Sequence, residues 1–322
     1  MTDKQYIYAV ARIRSKELTL FGKSDIEQLM NCKSEKECLR FLSDKGWGRT
    51  DEADSEQILS AEREKTWDLM REMVEDMSVF NTFLYGIDFH NLKAAIKQVY
   101  SDSDLPDIYI PNGTVQPEIF YQAVKEHDFT SLPVYMQKCA EEAYQVQLHT
   151  GDSQLCEVII DKASLDTIYQ KGKESGNELF VGYVERKVAS ADINIVIRSI
   201  RTGKDRKFME RALAKCESLD INELMSAAED GEEKVLQYLT TSVYEGAVTA
   251  LKTSISAFER WCDNQVIELI RPQKYNPFTV SPLAAYILAR ENEIKTVRIL
   301  LSGKRNEISD SAIRERLREM YV

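Results

Sequence analysis

Over residues 177–202, Val181, Val184, Val188, Ala191 and Ile195 recur at three- and four-residue spacing. That spacing lays one apolar stripe along a helix several turns long. A strand, whose side chains alternate between faces, cannot bury such a stripe. Gly203 follows as a natural helix stop. Turn formers are scarce throughout: 13 glycines and seven prolines in 322 residues, about 4% and about 2% against the usual roughly 7% and 5%. Few turn formers mean few turns, so long helices are favoured over a many-stranded β fold and the expected fold class is all-α. The 43% hydrophobic content builds cores, and the 30% charged content solvates the outside.

Helix punctuation recurs along the chain. Thr2 with Gln5, Ser24 with Glu27 and Ser34 with Glu37 each fit a capping box. Gly46 and Gly48 stop the helix that opens near Ser34. The acidic stretch 51–65 leads into an apolar pattern around Trp67, Met70, Val74 and Met77. Between 101 and 117, Pro106, Pro111, Asn112-Gly113 and Pro117 forbid a continuous helix. Helical patterns resume at 117–127, 133–149 and 153–171. RPQKYNPFTVSP breaks the chain again at 271–282, and Ser281-Pro282 opens a helix expected to run to Leu301 and stop at Gly303. A short last helix is expected at 309–321. The expected units are 1–110, 111–208 and 209–322.

The repeats are more informative. DIEQLM at 25–30 and DINELM at 220–225 agree at four of six positions, and PEIFYQAV at 117–124 is a looser middle copy. About seventy residues after each comes a second element: YGIDFHNLKAAIK at 85–97, ASADINIVIRSIRTGK at 189–204 and ARENEIKTVRILLSGK at 289–304. The last two align without a gap at Arg198/Arg298, Gly203/Gly303 and Lys204/Lys304. An interval of about 100 residues is too long for the common helical solenoids. Three copies in the same order argue for three related helical units.

Charge and motifs narrow the function. Fifty-three acidic against 42 basic residues leave a net charge of -11, which weighs against a nucleic-acid partner that needs a basic surface. The opening MTDKQYIYAV lacks a signal-length apolar run. The longest uncharged run, 275–289, holds Pro277 and Pro282 and is shorter than the ~20 apolar residues that span a bilayer, so no membrane insertion is expected. Six cysteines without a CxxC pair read as reduced thiols packed as small hydrophobes. GKS at 22–24 resembles the end of a phosphate-binding loop, but Glu17 stands where that loop requires glycine. There is no HExxH, GxSxG or GxGxxG, and His90, His127 and His149 lie far apart. No catalytic, cofactor-binding or metal-binding residue is singled out, and an enzyme is not expected.

Charged and amide side chains instead interrupt the apolar helices of the second element: Asp88, Asn91 and Lys93; Asp192, Asn194 and Arg198; Glu291, Glu293 and Arg298. Either they form solvated faces, or they converge on a surface that suits a polar protein partner. At these residues a family likeness enters. YIYAVARIRSKE, DFHNLK, ADINIVIR and the ending PLAAYILARENEIKTVRILLSGKRNEISDSAIRERLREMYV together resemble the C subunit of prokaryotic V-type (A-type) ATPases, the homologue of the d subunit of the eukaryotic V-type ATPase. The likeness spans residues 5–322 and is weakest over 101–150 and 205–260. It implies a funnel of three helical units about a pseudo-threefold axis, peripheral on the cytoplasmic face of the membrane. Such a protein joins the central-stalk subunits to the membrane rotor ring and carries torque without cofactor or active site. The likeness also implies that the nine residues just named are partner-binding, without deciding whether they face the stalk, face the ring or tie the units together. Two alternatives stay open: a free-standing helical scaffold for other soluble proteins, and an enzyme whose site is assembled across the units.

Overall fold

The computed structural model describes residues 6–48, 54–101 and 108–322, and among these there is no strand. The all-α expectation holds. Helix α1 (Ile7–Glu17) is followed by three series, each opening on a short helix and closing on a long one. The first runs α2 (Lys23–Asn31), α3 (Glu35–Asp44), α4 (Ser55–Met73) and α5 (Tyr85–Ser101). The second runs α6 (Pro117–Glu126), α7 (Val134–Thr150), α8 (Ser153–Glu174) and α9 (Glu178–Arg201). After α10 (Arg206–Ala212) come α11 (Ile221–Glu229), α12 (Glu232–Thr240), α13 (Glu245–Thr253), α14 (Ile255–Ile270) and α15 (Ser281–Arg305), with α16 (Asp310–Arg314) last.

The opening helices share a burial pattern that explains the repeated letters. Ile26, Leu29 and Met30 are buried in α2, and Phe120, Ala123 and Val124 in α6. In α11, Leu224 and Met225 are buried and Ile221 is half-buried at the matching place. One residue and those three and four further on face one side of a helix, so the middle copy joins the others with Phe120 in the place of Ile26.

Two compact units result. One combines the N-terminal stretch up to Met77 with the C-terminal stretch from Thr249, and the other is Ser78–Val248. In the first, Phe21, Leu29, Leu42 and Leu59 share a core with Ile294, Val297 and Leu300 of α15, and the Phe21 and Trp47 rings stack at 5.0 Å. In the second, Phe89 and Leu92 of α5 pack with Phe120, Met136, Ala140 and Ile160.

Several boundaries differ from expectation. Thr2 and Gln5 lie outside the described residues. Ser34 caps α3, its hydroxyl accepting from the Glu37 N–H, and Gly46 and Gly48 turn the chain at positive φ. Helix α2, however, is capped at Gly22, whose N–H donates to Asp25, so Ser24 lies inside the helix. The buried face of α9 runs through Val184, Val188, Asp192, Ile193 and Val196, while Val181, Ala191 and Ile195 are only half-buried. Two of the five apolar letters lie on the buried face and three flank it, with a carboxylate at its centre. Gly203 ends α9 at φ 66 with Lys204 N–H bonded to Ser199 O at 2.9 Å. Gly303 does not stop α15: it lies inside the helix, where a Cβ would come within 2.6 Å of the Ile313 side chain. Glu307, at φ 53, takes the stop position, with Ile308 N–H bonded to Gly303 O. The last helix is five residues long, and 315–322 is irregular.

Close helix contact makes a test. A Cβ on Gly172 of α8 would lie 2.4 Å from Val184 Cγ1, whereas Gly86, exposed at the second position of α5, has open space around it. Gly172→Ala is expected to lower stability by about 1 kcal/mol or more, since overpacking exceeds the helix-propensity gain. Gly86→Ala is expected to raise it by up to about 1 kcal/mol. Denaturant midpoints of the two variants check both signs.

Candidate functional site

Three of the long helices, α5, α9 and α15, each carry a carboxylate on the buried face: Asp88, Asp192 and Glu293, all at most 1% exposed. A buried carboxylate must find donors, and each finds them in the irregular chain ahead of an opening helix. Asp88 Oδ1 accepts the N–H groups of Thr114 (2.8 Å) and Val115 (3.2 Å), and Oδ2 accepts the Thr114 hydroxyl at 2.5 Å. Helix α6 begins at Pro117. Asp192 Oδ1 accepts the Ala214 N–H at 3.0 Å, ahead of α11. Glu293 Oε1 accepts the Phe21 N–H, ahead of α2. The carboxylate that ends one series therefore holds the entry to the next, and the last holds the entry to the first. The gapless alignment pairs Asp192 with Asn292; the role belongs to Glu293, the next residue, with a side chain one methylene longer.

Further bonds pin the same segments. Asn91 brackets Ile110, accepting its N–H at 2.8 Å and donating to its carbonyl at 2.9 Å. His90 Nε2 donates to Ile108 O at 3.2 Å. Gly113 has no room for a side chain, because a Cβ would lie 2.3 Å from Asp88 Oδ1. Lys162 donates to Leu213 O. Glu185 accepts the N–H and hydroxyl of Ser218 at 2.7 and 2.6 Å. Burial pushes the Asp88 carboxyl up, opposed by the Thr114 hydroxyl and the Val115 and Thr114 N–H groups. It pushes Asp192, with a single N–H donor, up to about 8.

In the unit that joins the two ends of the chain, Glu293 also belongs to a charge cluster. Arg290 bridges Glu62 and Glu293, and its guanidinium lies 5.0 Å from the Trp47 ring centre. Glu62 further accepts the Gly48 N–H at 2.9 Å and Lys65 at 2.6 Å. Burial opposes the Arg290 charge, and Glu293 and Glu62 hold it ionised.

The nine residues anticipated from sequence fall into two groups. Asp88, Asn91, Asp192 and Glu293 are buried and bonded within their own unit. Lys93 pairs with Asp161 at 2.7 Å. Glu291 pairs with both nitrogens of Arg63 that face it, at 2.9 and 3.1 Å, and Arg298 pairs likewise with Glu56 at 3.1 and 2.9 Å. Arg198 is exposed, and Asn194 is half-buried. Glu62 and Arg290 are absent from the nine. Arg290 closes the longest uncharged run, which is a signal of sorts, but nothing in the sequence connects it to Glu62, 228 residues away. Burial pushes the Cys38 and Cys139 thiols up to about 12, so they stay protonated and packed. Among the described residues no helix is long and apolar enough to cross a membrane.

Two outcomes are expected. Asp88→Ala strands the Thr114 and Val115 N–H groups and lowers stability by about 3 kcal/mol, at roughly 1–3 per buried orphan. Asp88→Asn keeps an acceptor for them and costs less, which chemical denaturation of both variants checks. Arg290→Leu leaves two buried carboxylates facing each other and costs about 3–5 kcal/mol. Burial pushes the Glu293 carboxyl up even with Arg290 present, and further without it, so the loss grows as pH rises above the ordinary carboxylate range. Melting curves across pH read that slope.

Comparison with known proteins agrees with this architecture. Residues 9–316 match the family described as ATP synthase (C/AC39) subunit. The chain is 23% identical to the C subunit of the V-type sodium ATPase of Enterococcus hirae, with 96% of this chain and 97% of that protein aligned. It is 25% identical to the C subunit of the A-type ATP synthase of Methanocaldococcus jannaschii, over 97% and 86%. For the corresponding C subunit of the A-type ATP synthase of Thermococcus kodakarensis the identity is 20%, over 96% and 89%.

Proposed function

The chain belongs to the ATP synthase (C/AC39) subunit family, and on that premise we propose that it is the non-catalytic coupling component of a V/A-type rotary ATPase. In this reading it is peripheral on the cytoplasmic face of the membrane. It seats the central-stalk subunits on the membrane rotor ring and transmits torque during ATP-driven proton or sodium transport or ATP synthesis. The observation that carries the reading is the length of the match: relatives named as C subunits align over nearly the whole chain and most of their own length.

The physics of the chain supports this role. A spacer under torque must be stiff, and long helices whose entry loops are tied by buried carboxylates resist bending better than helices joined by free loops. Three series, each closing on a helix that holds the entry to the next, suit a funnel of three similar units about a pseudo-threefold axis. Of the nine anticipated partner-binding residues, Lys93, Arg198, Glu291 and Arg298 are the ones a partner can reach. Asp88, Asn91, Asp192, Asn194 and Glu293 would act by holding the surface in shape. Exposed charges of this kind set specificity and association rate more than raw affinity.

Native mass spectrometry of the chain with detergent-solubilised rotor ring, and separately with central-stalk subunits, tests the proposal. One copy retained on the ring with the stalk recruited above it is the expected result, and binding to neither overturns it. For the double variant Arg198→Glu/Arg298→Glu, folding stability should change by no more than about 1 kcal/mol, the range for exposed ion pairs. Stalk affinity should fall about tenfold or more, about 1.4 kcal/mol. Unchanged stalk binding would remove the two arginines from the interface.

A further inference from the structure

The three carboxylate clasps are not equally made. A carboxylate has about four acceptor sites. Asp88 uses three, on two N–H groups and a hydroxyl. Asp192 uses one, on the Ala214 N–H. Its Oδ2 is buried without a hydrogen-bond partner, and so are Asn194 Oδ1 and Ser199 Oγ; all three such side-chain atoms among the described residues lie on α9. A fully buried carboxylate with a single donor is a costly charge. The groups acting on it offer little relief: from α8, Lys162 has its ammonium on Leu213 O and Asp166, which accepts the Lys215 N–H, adds a second carboxylate; from the held segment, Lys215 acts on Asp166 and Cys216 adds a thiol.

We propose that Asp192 is a protonation-controlled clasp: neutral, it holds residues 213–216 against α9, and ionised, it releases them to water and loosens the entry to α11. The Ala214 N–H needs an acceptor, which either form of Asp192 supplies, but only the neutral form tolerates burial beside an unpartnered Oδ2. The closed state therefore binds a proton that the open, hydrated state gives up. Burial holds the closed-state group up to about 8, whereas a hydrated Asp titrates near an ordinary value of about 4. By linkage the opening equilibrium rises with pH between those limits, by at most about tenfold per pH unit. Below the window both states are neutral and above it both are ionised, so the dependence is flat on either side. Burial raises the Asp88 carboxyl as well, but its three donors oppose the shift, so its loop serves as a comparison whose rise ends at a lower pH. The inference concerns the isolated chain and does not rest on the rotary role.

Amide hydrogen exchange followed by mass spectrometry on the full chain tests it, between about pH 5 and pH 9 with intrinsic rates corrected. Expected is an opening of 213–216 that increases by up to about tenfold per pH unit, a rise in 113–115 that levels off at a lower pH, and a smaller slope for 213–216 in Asp192→Asn. Should Asp192→Asn fail to fold, Asp166→Asn reads the same clasp: it keeps an acceptor for the Lys215 N–H but removes the negative neighbour, so the rise levels off at a lower pH. Rises over the same pH range in the two loops overturn the clasp, as does an unchanged slope in Asp192→Asn or an unmoved plateau in Asp166→Asn.

Discussion

When the irregular chain between two helical series is drawn into the interior, its N–H groups lose water and have no ladder or helix to join. Each of the three entries solves this in the same way, with a carboxylate from the buried face of a long helix: Asp88 for Thr114 and Val115, Asp192 for Ala214, and Glu293 for Phe21. Orphaned N–H groups and orphaned carboxylates are each costly in a low-dielectric interior, and pairing them offsets part of both costs. The packing of the opening helices follows, because Ile26, Phe120 and Leu224 reach their cores only once the preceding chain has been steered into place.

The third clasp has a topological consequence. Glu293 is near the C-terminus and Phe21 near the N-terminus, so one compact unit is built from both ends of the chain. Ties between distant residues are entropically expensive to form. This one is reinforced accordingly, by Arg290 bridging Glu62 and Glu293, by Arg290 over Trp47, and by Tyr321 donating to Glu17 at 3.0 Å. Surface pairs such as Arg298 with Glu56 contribute far less per bond.

The same design sets a gradient of firmness within the other compact unit. Asp88, with three donors, Asn91 bracketing Ile110, and a Gly113 that admits no side chain make one entry rigid. The entry at 213–216 is held by single bonds to separate groups: the Ala214 N–H to Asp192, the Lys215 N–H to Asp166, and Lys162 to Leu213 O. A repeated motif need not be repeated in strength.

Helix position and the all-α class were legible in the sequence, because they are local matters. Three-and-four spacing, Gly46, Gly203 and Pro117 act within a few residues and need no distant partner. The polar positions at 88, 192 and 293 were legible as anomalies, since a charge inside an apolar helix is visible in the letters. Which way they face was not legible, and of the stripe Val184 and Val188 lie on the buried face while Val181, Ala191 and Ile195 flank it, because Asp192 takes a place on that face which apolar spacing alone does not mark. Gly303 reads as a stop in the sequence, but Ile313 needs the space, so the helix continues to Arg305 and leaves a last helix of only five residues. The pairing of Arg290 with Glu62 across 228 residues has no sequence signature at all. Local backbone preference is written residue by residue. Burial of a charge is decided only when the folded chain brings a donor to it.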